Sequence, residues 1–184
     1  MTPRFTTSHA ATFANARAIG LVACVAVLLA APSARGDVKA VTKETAVKIE
    51  GHIDLAAPPT KVWDTLTSVE GLCTLTGYTV AGPLKQRSIM KLGETLPAQA
   101  RGETGRLFVT GFIPGQEIRV TWEPVGAGYL CAQRVVLAAT PSGGTSLDFT
   151  QRYTDSKPNV DETAVKAREA VAKGLEAFSA VVGK

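Results

Sequence analysis

Gln133, Gln151 and Tyr153 are polar side chains that this sequence sets on what should be the inner face of a sheet. In Ser146–Thr154, Leu147 and Phe149 alternate with Asp148 and Thr150, and the same parity carries Gln151 and Tyr153 to the apolar side. In Tyr129–Thr140, Val135 and Leu137 carry Cys131 and Gln133 inward in the same way. A buried amide or phenol needs a hydrogen-bond partner. Two readings follow: these groups satisfy one another at the strand ends, or they orient the polar end of an amphipathic guest in a mainly apolar pocket. Trp122, on the inner side of Glu117–Glu123, either lines that pocket or fills core volume. Tyr78 and Arg101 are further candidates on less regular segments.

Groups suited to stronger chemistry are sparse. The chain has two histidines, His9 and His52. His52 shares strand parity with Lys48, Glu50 and Asp54, so it should face water. One strand histidine and scattered cysteines give no zinc-ligand spacing, and no phosphate-cradling glycine loop precedes a helix. No metal and no cofactor are expected. Glu117, Glu123 and Asp148 each alternate with apolar residues and should also be solvated. Paired carboxylates could act only if the segment around Glu94 or Glu103 folds inward.

Several elements must position these side chains. Val47, Ile49, Gly51, Ile53 and Leu55 alternate with charged residues as an opening strand. Pro59 suits the first turn of a helix in which Val62, Trp63 and Leu66 share a face. Trp63 should pack that helix under the sheet edge. Glu70–Thr76 reads as a second short helix before Gly77, and residues 37 to about 45 as a polar lead-in. A meander follows, with strands expected at Arg87–Leu92, Leu96–Arg101, Arg106–Ile113, Glu117–Glu123, Tyr129–Thr140 and Ser146–Thr154. Turn residues lie between them at Gly102–Gly105, Pro114-Gly115, Gly126–Gly128 and Pro141–Gly144. Short connections make neighbours antiparallel.

After Pro158 and Asn159, Val160, Ala164, Ala167, Val171, Leu175, Phe178 and Val182 recur at helical steps, with charged residues off that stripe. Such a helix is about 30 Å long, close to the roughly 26 Å of an eight-residue strand. It can therefore lie along the concave side of the sheet. Its small inward residues, Ala164, Ala167 and Val171, either permit tight packing or leave a cavity.

Asp54 through Leu66, with Ala57-Pro58-Pro59 and Val62-Trp63, resembles the opening strand and helix of the SRPBCC superfamily (START-like, polyketide cyclase/dehydratase and birch-pollen-allergen relatives). Gly144-Thr145 before the last strand and Gly174-Leu175 with Phe178 extend the likeness over most of residues 46–183. Leu175 stands where the superfamily's pattern has Trp. The resemblance implies an α+β helix-grip fold: a seven-stranded curved antiparallel sheet around a long C-terminal helix, with two short helices after the first strand. It also implies an apolar cavity between sheet and helix. The ligand-contacting residues would be Trp122, Cys131, Gln133, Val135, Phe149, Gln151, Tyr153, Ala167, Val171 and Leu175.

The N-terminus reads separately. Arg4 and Arg17 precede an uncharged run, Ala18–Pro32, too short for a span of roughly 20 apolar residues. Small residues follow, so residues 1–36 are expected to be a signal peptide cut after Gly36, with Ala34 as a competing site. Leu21–Cys24 resembles a lipoprotein box, but the apolar run continues past Cys24. The remaining 37–184 make one domain. Three of the 20 Lys+Arg and none of the 16 acids lie in residues 1–36, so the remainder carries 17 − 16 = +1. Nucleic acid is not an expected partner. Export permits a Cys73–Cys131 disulfide, though a domain of this size has no need of one; two buried thiols are expected. The reading is an exported, periplasmic protein holding a hydrophobic or amphipathic small molecule such as a lipid, an isoprenoid-like compound or an aromatic metabolite. A cyclase- or dehydratase-type enzyme using the same cavity is the alternative, and a protein-interaction module is a third.

Overall fold

A computed structural model describes residues 36–43, 46–80, 88, 91–154 and 160–183, all within the unit Ser33–Lys184. The expected signal peptide, most of the Arg87–Leu92 strand and the helix start at Pro158-Asn159 lie outside the described residues. Among the described residues seven strands form one antiparallel sheet: β1 (Asp37–Lys43), β2 (Ala46–Leu55), β3 (Thr95–Ala100), β4 (Glu103–Ile113), β5 (Glu117–Pro124), β6 (Leu130–Ala139) and β7 (Thr145–Thr154). Their spatial order is β1-β2-β7-β6-β5-β4-β3. Three helices accompany them: α1 (Pro59–Leu66), α2 (Val69–Thr76) and α3 (Val160–Val182). This is a helix-grip architecture.

Two sequence expectations are corrected. The polar lead-in at 37–45 is largely strand β1, an edge strand paired with β2 from Asp37↔His52 to Lys43↔Ala46. The turn expected at Gly102–Gly105 is shorter. Ala100 pairs with Glu103, so Arg101-Gly102 alone turns the chain and β4 starts at Glu103. Both turn residues have positive φ, 50° and 82°, as a type I′ hairpin requires. Arginine rarely occupies that left-handed region.

The short helices are set by local chemistry. Pro59 opens α1, and the Ser68 side chain caps α2 by accepting from the Gly71 N–H at 2.9 Å. Gly77, at φ 75°, ends α2 in the left-handed conformation. Two backbone bonds of 2.8 Å between Thr79 and Gln99 then tie the chain to edge strand β3. Tyr78, between these two restraints, is held over the sheet. Trp63 packs edge-on against Phe112 at 5.3 Å, which is the structural role expected of it.

Registers across the sheet define transverse rungs on the inner face. One rung runs Leu107–Trp122–Cys131–Tyr153–Val47, and the next Val109–Val120–Gln133–Gln151–Ile49. The third, Ile118–Val135–Phe149–Gly51, is apolar. A bulge between Val109 and Gly111 adds twist to β4. Helix α3 lies against β1, β2 and α2. A Cβ on Gly51 would stand 2.7 Å from Leu175 and 3.2 Å from Val171, so the helix is seated on that glycine with no space between. Val171, Leu175, Phe178 and Val182 are at most 4% exposed there.

The outer face is mostly solvated, with one correction. Glu117 keeps its outward parity yet is buried, because Arg119 and Arg134 close over its carboxylate. Arg134 first, and Arg119 with it, hold its pKa below the usual carboxylate value. His52 faces outward as expected and bonds Asp148 through Nδ1 at 2.7 Å, with Asp54 3.4 Å from Nε2. The Asp148 hydrogen bond, against partial desolvation and with the two carboxylate fields, raises the imidazole pKa above 6.5. A raised folded-state pKa stabilises the fold fully below the unfolded value and loses that effect as pH climbs through the folded one. The melting-temperature gap between the parent and His52→Gln should therefore be wider at about pH 5.5 than at about pH 8.5. Equal gaps would mean that the Asp148 contact does not persist in solution.

Cys73 and Cys131 are both thiols, with no disulfide between them. Cys131 is buried as expected, whereas Cys73 is half-buried. No helix among the described residues is long and apolar enough to cross a membrane.

Candidate functional site

The first two rungs carry every polar residue that parity sent inward. Cys131 faces Trp122 on one side and Tyr153 on the other, and Gln133 faces Gln151. Over them lies a cavity of about 220 Å³. Trp122, Cys131, Gln133, Gln151 and Tyr153 line it, joined by Tyr78, Arg101, Glu103, Tyr129 and Ala170. Val135, Phe149, Ala167, Val171 and Leu175 do not line it; they are buried in the packed core. The hollow between sheet and helix is thus filled at the Gly51 end and open at the Trp122 end. A larger recess of about 390 Å³ is an open groove around the β5–β6 loop, with no buried amide converging on it.

Chemically the cavity is amphipathic. The chain has three tyrosines, Tyr78, Tyr129 and Tyr153, and all three line this cavity. Tyr78 stacks on Trp122 with ring centroids 5.0 Å apart, and Tyr129 tilts against Tyr153 at 6.1 Å. A hydrogen-bonded series runs inward from the mouth. Arg101 donates to the Tyr153 oxygen at 3.3 Å, Gln151 Nε2 donates to the same oxygen at 2.8 Å, and Gln133 Nε2 donates to Gln151 Oε1 at 2.9 Å. At the rim the Tyr129 hydroxyl donates to Glu103. The Cys131 thiol lies within bonding reach of the Tyr78 and Tyr153 phenols.

Burial governs the titration of these groups. Desolvation pushes Tyr153 up to about 12, the Cys131 thiol adding to this and the Arg101 guanidinium opposing it. Tyr78 is raised well above its ordinary value, again chiefly by burial. Burial and the Glu103 carboxylate raise Tyr129 as well. All three phenols are therefore neutral near pH 7 and act as hydrogen-bond groups rather than bases. Among the described residues no three His, Cys, Asp or Glu side chains gather as metal ligands.

Parity placed the sheet-borne lining of the cavity and left its rim unassigned. Glu103 and Ala170 carried no periodic signal, Glu103 flanking a hairpin turn and Ala170 lying off the apolar stripe of α3; Tyr129 shares the parity of Cys131 and Gln133 and stands just before β6. The clue available was compositional, three tyrosines against six phenylalanines, none of the described phenylalanines lining the cavity.

Comparison with solved structures defines the class of fold. The chain superposes on protein CV1439 from Chromobacterium violaceum with a TM-score of 0.54 at 20% identity, covering 74% of this chain and 97% of that one. MLL2253 from Mesorhizobium loti gives 0.58 at 17% identity, over 74% and 96%. CalU16 from Micromonospora echinospora gives 0.56 at 15% identity, over 82% and 84%. No protein-family model matches the sequence, and no curated protein matches it. These likenesses show the helix-grip fold that the opening motif implied.

Proposed function

We propose that this chain is an exported small-molecule binding protein that holds one small amphipathic guest between the open end of the sheet and α3. The observation carrying this reading is the cavity itself. Three tyrosines, a tryptophan and two buried glutamines surround a space that packing left vacant, where an ordinary core would place aliphatic side chains. At about 220 Å³ it is smaller than the roughly 300–1,000 Å³ of drug-sized sites. A single substituted ring fits; a full-length lipid or isoprenoid chain does not. Export rests on the charged, apolar and small-residue pattern of residues 1–36.

Native mass spectrometry of protein purified from its own host should show a co-purifying small molecule. Ala170 is exposed and lines the mouth. Ala170→Trp should therefore lower guest affinity at least about tenfold by obstructing the entrance, while the melting temperature holds. A guest bound equally by both proteins would place binding elsewhere. A cyclase- or dehydratase-type reaction in the same cavity is favoured by one feature, the Glu103–Tyr129 contact at the rim. Against it, proton transfer is most efficient with groups that titrate near the working pH, and burial moves all three phenols away from it.

A further inference from the structure

We infer that the cavity selects a guest that donates a hydrogen bond to Gln133: a small aromatic alcohol, amine or N–H heterocycle in preference to a hydrocarbon of the same size. This rests on the binding reading above and adds a chemical class to it.

Gln133 is 3% exposed, and its Oε1 is fully buried with no hydrogen-bond partner among the described residues. Its apolar neighbours on β6 and β5, Val135 and Val120, show that the sheet could have taken an aliphatic residue at this point. If Gln133 and Gln151 were present merely to satisfy each other, both carbonyl oxygens would be engaged. Only Gln151 Oε1 is, by Gln133 Nε2 at 2.9 Å.

The series also has a direction. Arg101 has no acceptor atom, so it can only donate to the Tyr153 oxygen. Gln151 donates to that same oxygen, and Gln133 donates to Gln151. The two inner links each use an N–H on the Gln133 side, Arg101 meets them at the Tyr153 oxygen from the mouth, and the series closes on an unfilled acceptor of a side chain that lines the cavity. Leaving such an atom unmatched carries the full desolvation penalty of an unmade bond. A toluene-like guest would leave it unmatched. A phenol-like guest would match it while its ring rests among Tyr78, Trp122, Tyr129 and Tyr153.

Arg101 adds a second sign that this series is built for use. It occupies the first position of a type I′ turn at φ 50°, a place that Gly, Asn or Asp would take at less cost. The sheet accepts that strain and gains a guanidinium at the mouth, bonded to Tyr153.

Phenol and toluene are probes of nearly equal shape that differ in one donor. Their affinities should be measured by calorimetry or ligand-observed NMR on the parent protein and on Gln133→Met. The phenol-to-toluene affinity ratio should fall about tenfold in the variant, the worth of one buried hydrogen bond. In the parent protein the Gln133 side-chain amide resonances should shift with phenol and stay in place with toluene, a readout that needs no variant. An unchanged ratio, or tighter binding of the acceptor acetophenone than of phenol, would overturn the donor preference and leave binding itself intact. If none of the three probes enters, the binding reading fails along with it.

Discussion

Gly174→Ala should cost about 3 kcal/mol of stability and lower the melting temperature by about 6–12 °C for a domain of this size. A Cβ at residue 174 would stand 2.1 Å from the Leu75 carbonyl oxygen and 3.1 Å from its carbon. That obstacle is helix backbone, and α2 is fixed at both ends by the Ser68 cap and by Gly77. The substituted α3 must therefore lift from α2. Lifting it uncovers Leu175 and Phe178 on one helix and Leu72 and Leu75 on the other, each now at most 2% exposed. Burial of one such side chain contributes about 1.5–3 kcal/mol, so partial loss at four positions is consistent with the expected effect. Urea or thermal unfolding provides the measurement. A variant that melts within a degree or two of the parent would show that α2 and α3 do not meet this closely.

Trp122→Ala should cost about 3–5 kcal/mol and depress melting by about 6–20 °C. The indole is 2% exposed and stacked on Tyr78, and its far edge lies over Gly105, where a Cβ would come within 2.7 Å of it. Strand β4 thus leaves out a side chain to make room for the ring. Removing the ring empties a volume that neither Tyr78, held by Gly77 and Thr79, nor glycine can fill. Guest binding should be lost as well, because the floor of the cavity goes with it. A loss under about 1 kcal/mol would mean that the surroundings collapse into the gap, and would count against a rigid, preformed pocket.

These outcomes bear on how much the sequence disclosed. Period-2 alternation was sufficient to send Cys131, Gln133, Gln151 and Tyr153 to one face, because parity holds along a strand whatever its neighbours do. Register was harder. That Gln133 sits opposite Gln151 depends on the length of the Thr140–Gly144 connection, which alternation does not encode. Strand β1 escaped notice since Asp37-Val38-Lys39-Ala40 has one large apolar residue in four; an edge strand with a single partner needs little more. The placement of α3 was hidden for another reason. Its stripe of Ala164, Ala167, Val171, Leu175 and Phe178 shows which side of the helix is buried and says nothing about which rung it covers. Gly51, a missing side chain inside an otherwise regular strand, marked the point of contact. Val171, taken from the sequence as a cavity residue, is instead half of that contact. A tryptophan there would collide with β2 before it could obstruct a guest.

The left-handed Arg101 sets recognition against robustness. Any pressure acting on heat tolerance alone would favour asparagine or glycine at the β3–β4 corner, relaxing the backbone and at the same time removing the cation at the cavity mouth. Variants tuned for durability would keep the helix-grip fold intact while losing the Arg101–Tyr153 hydrogen bond at the cavity mouth. An arginine at that corner carries a backbone cost that its bond to Tyr153, and the guest proposed above, would offset.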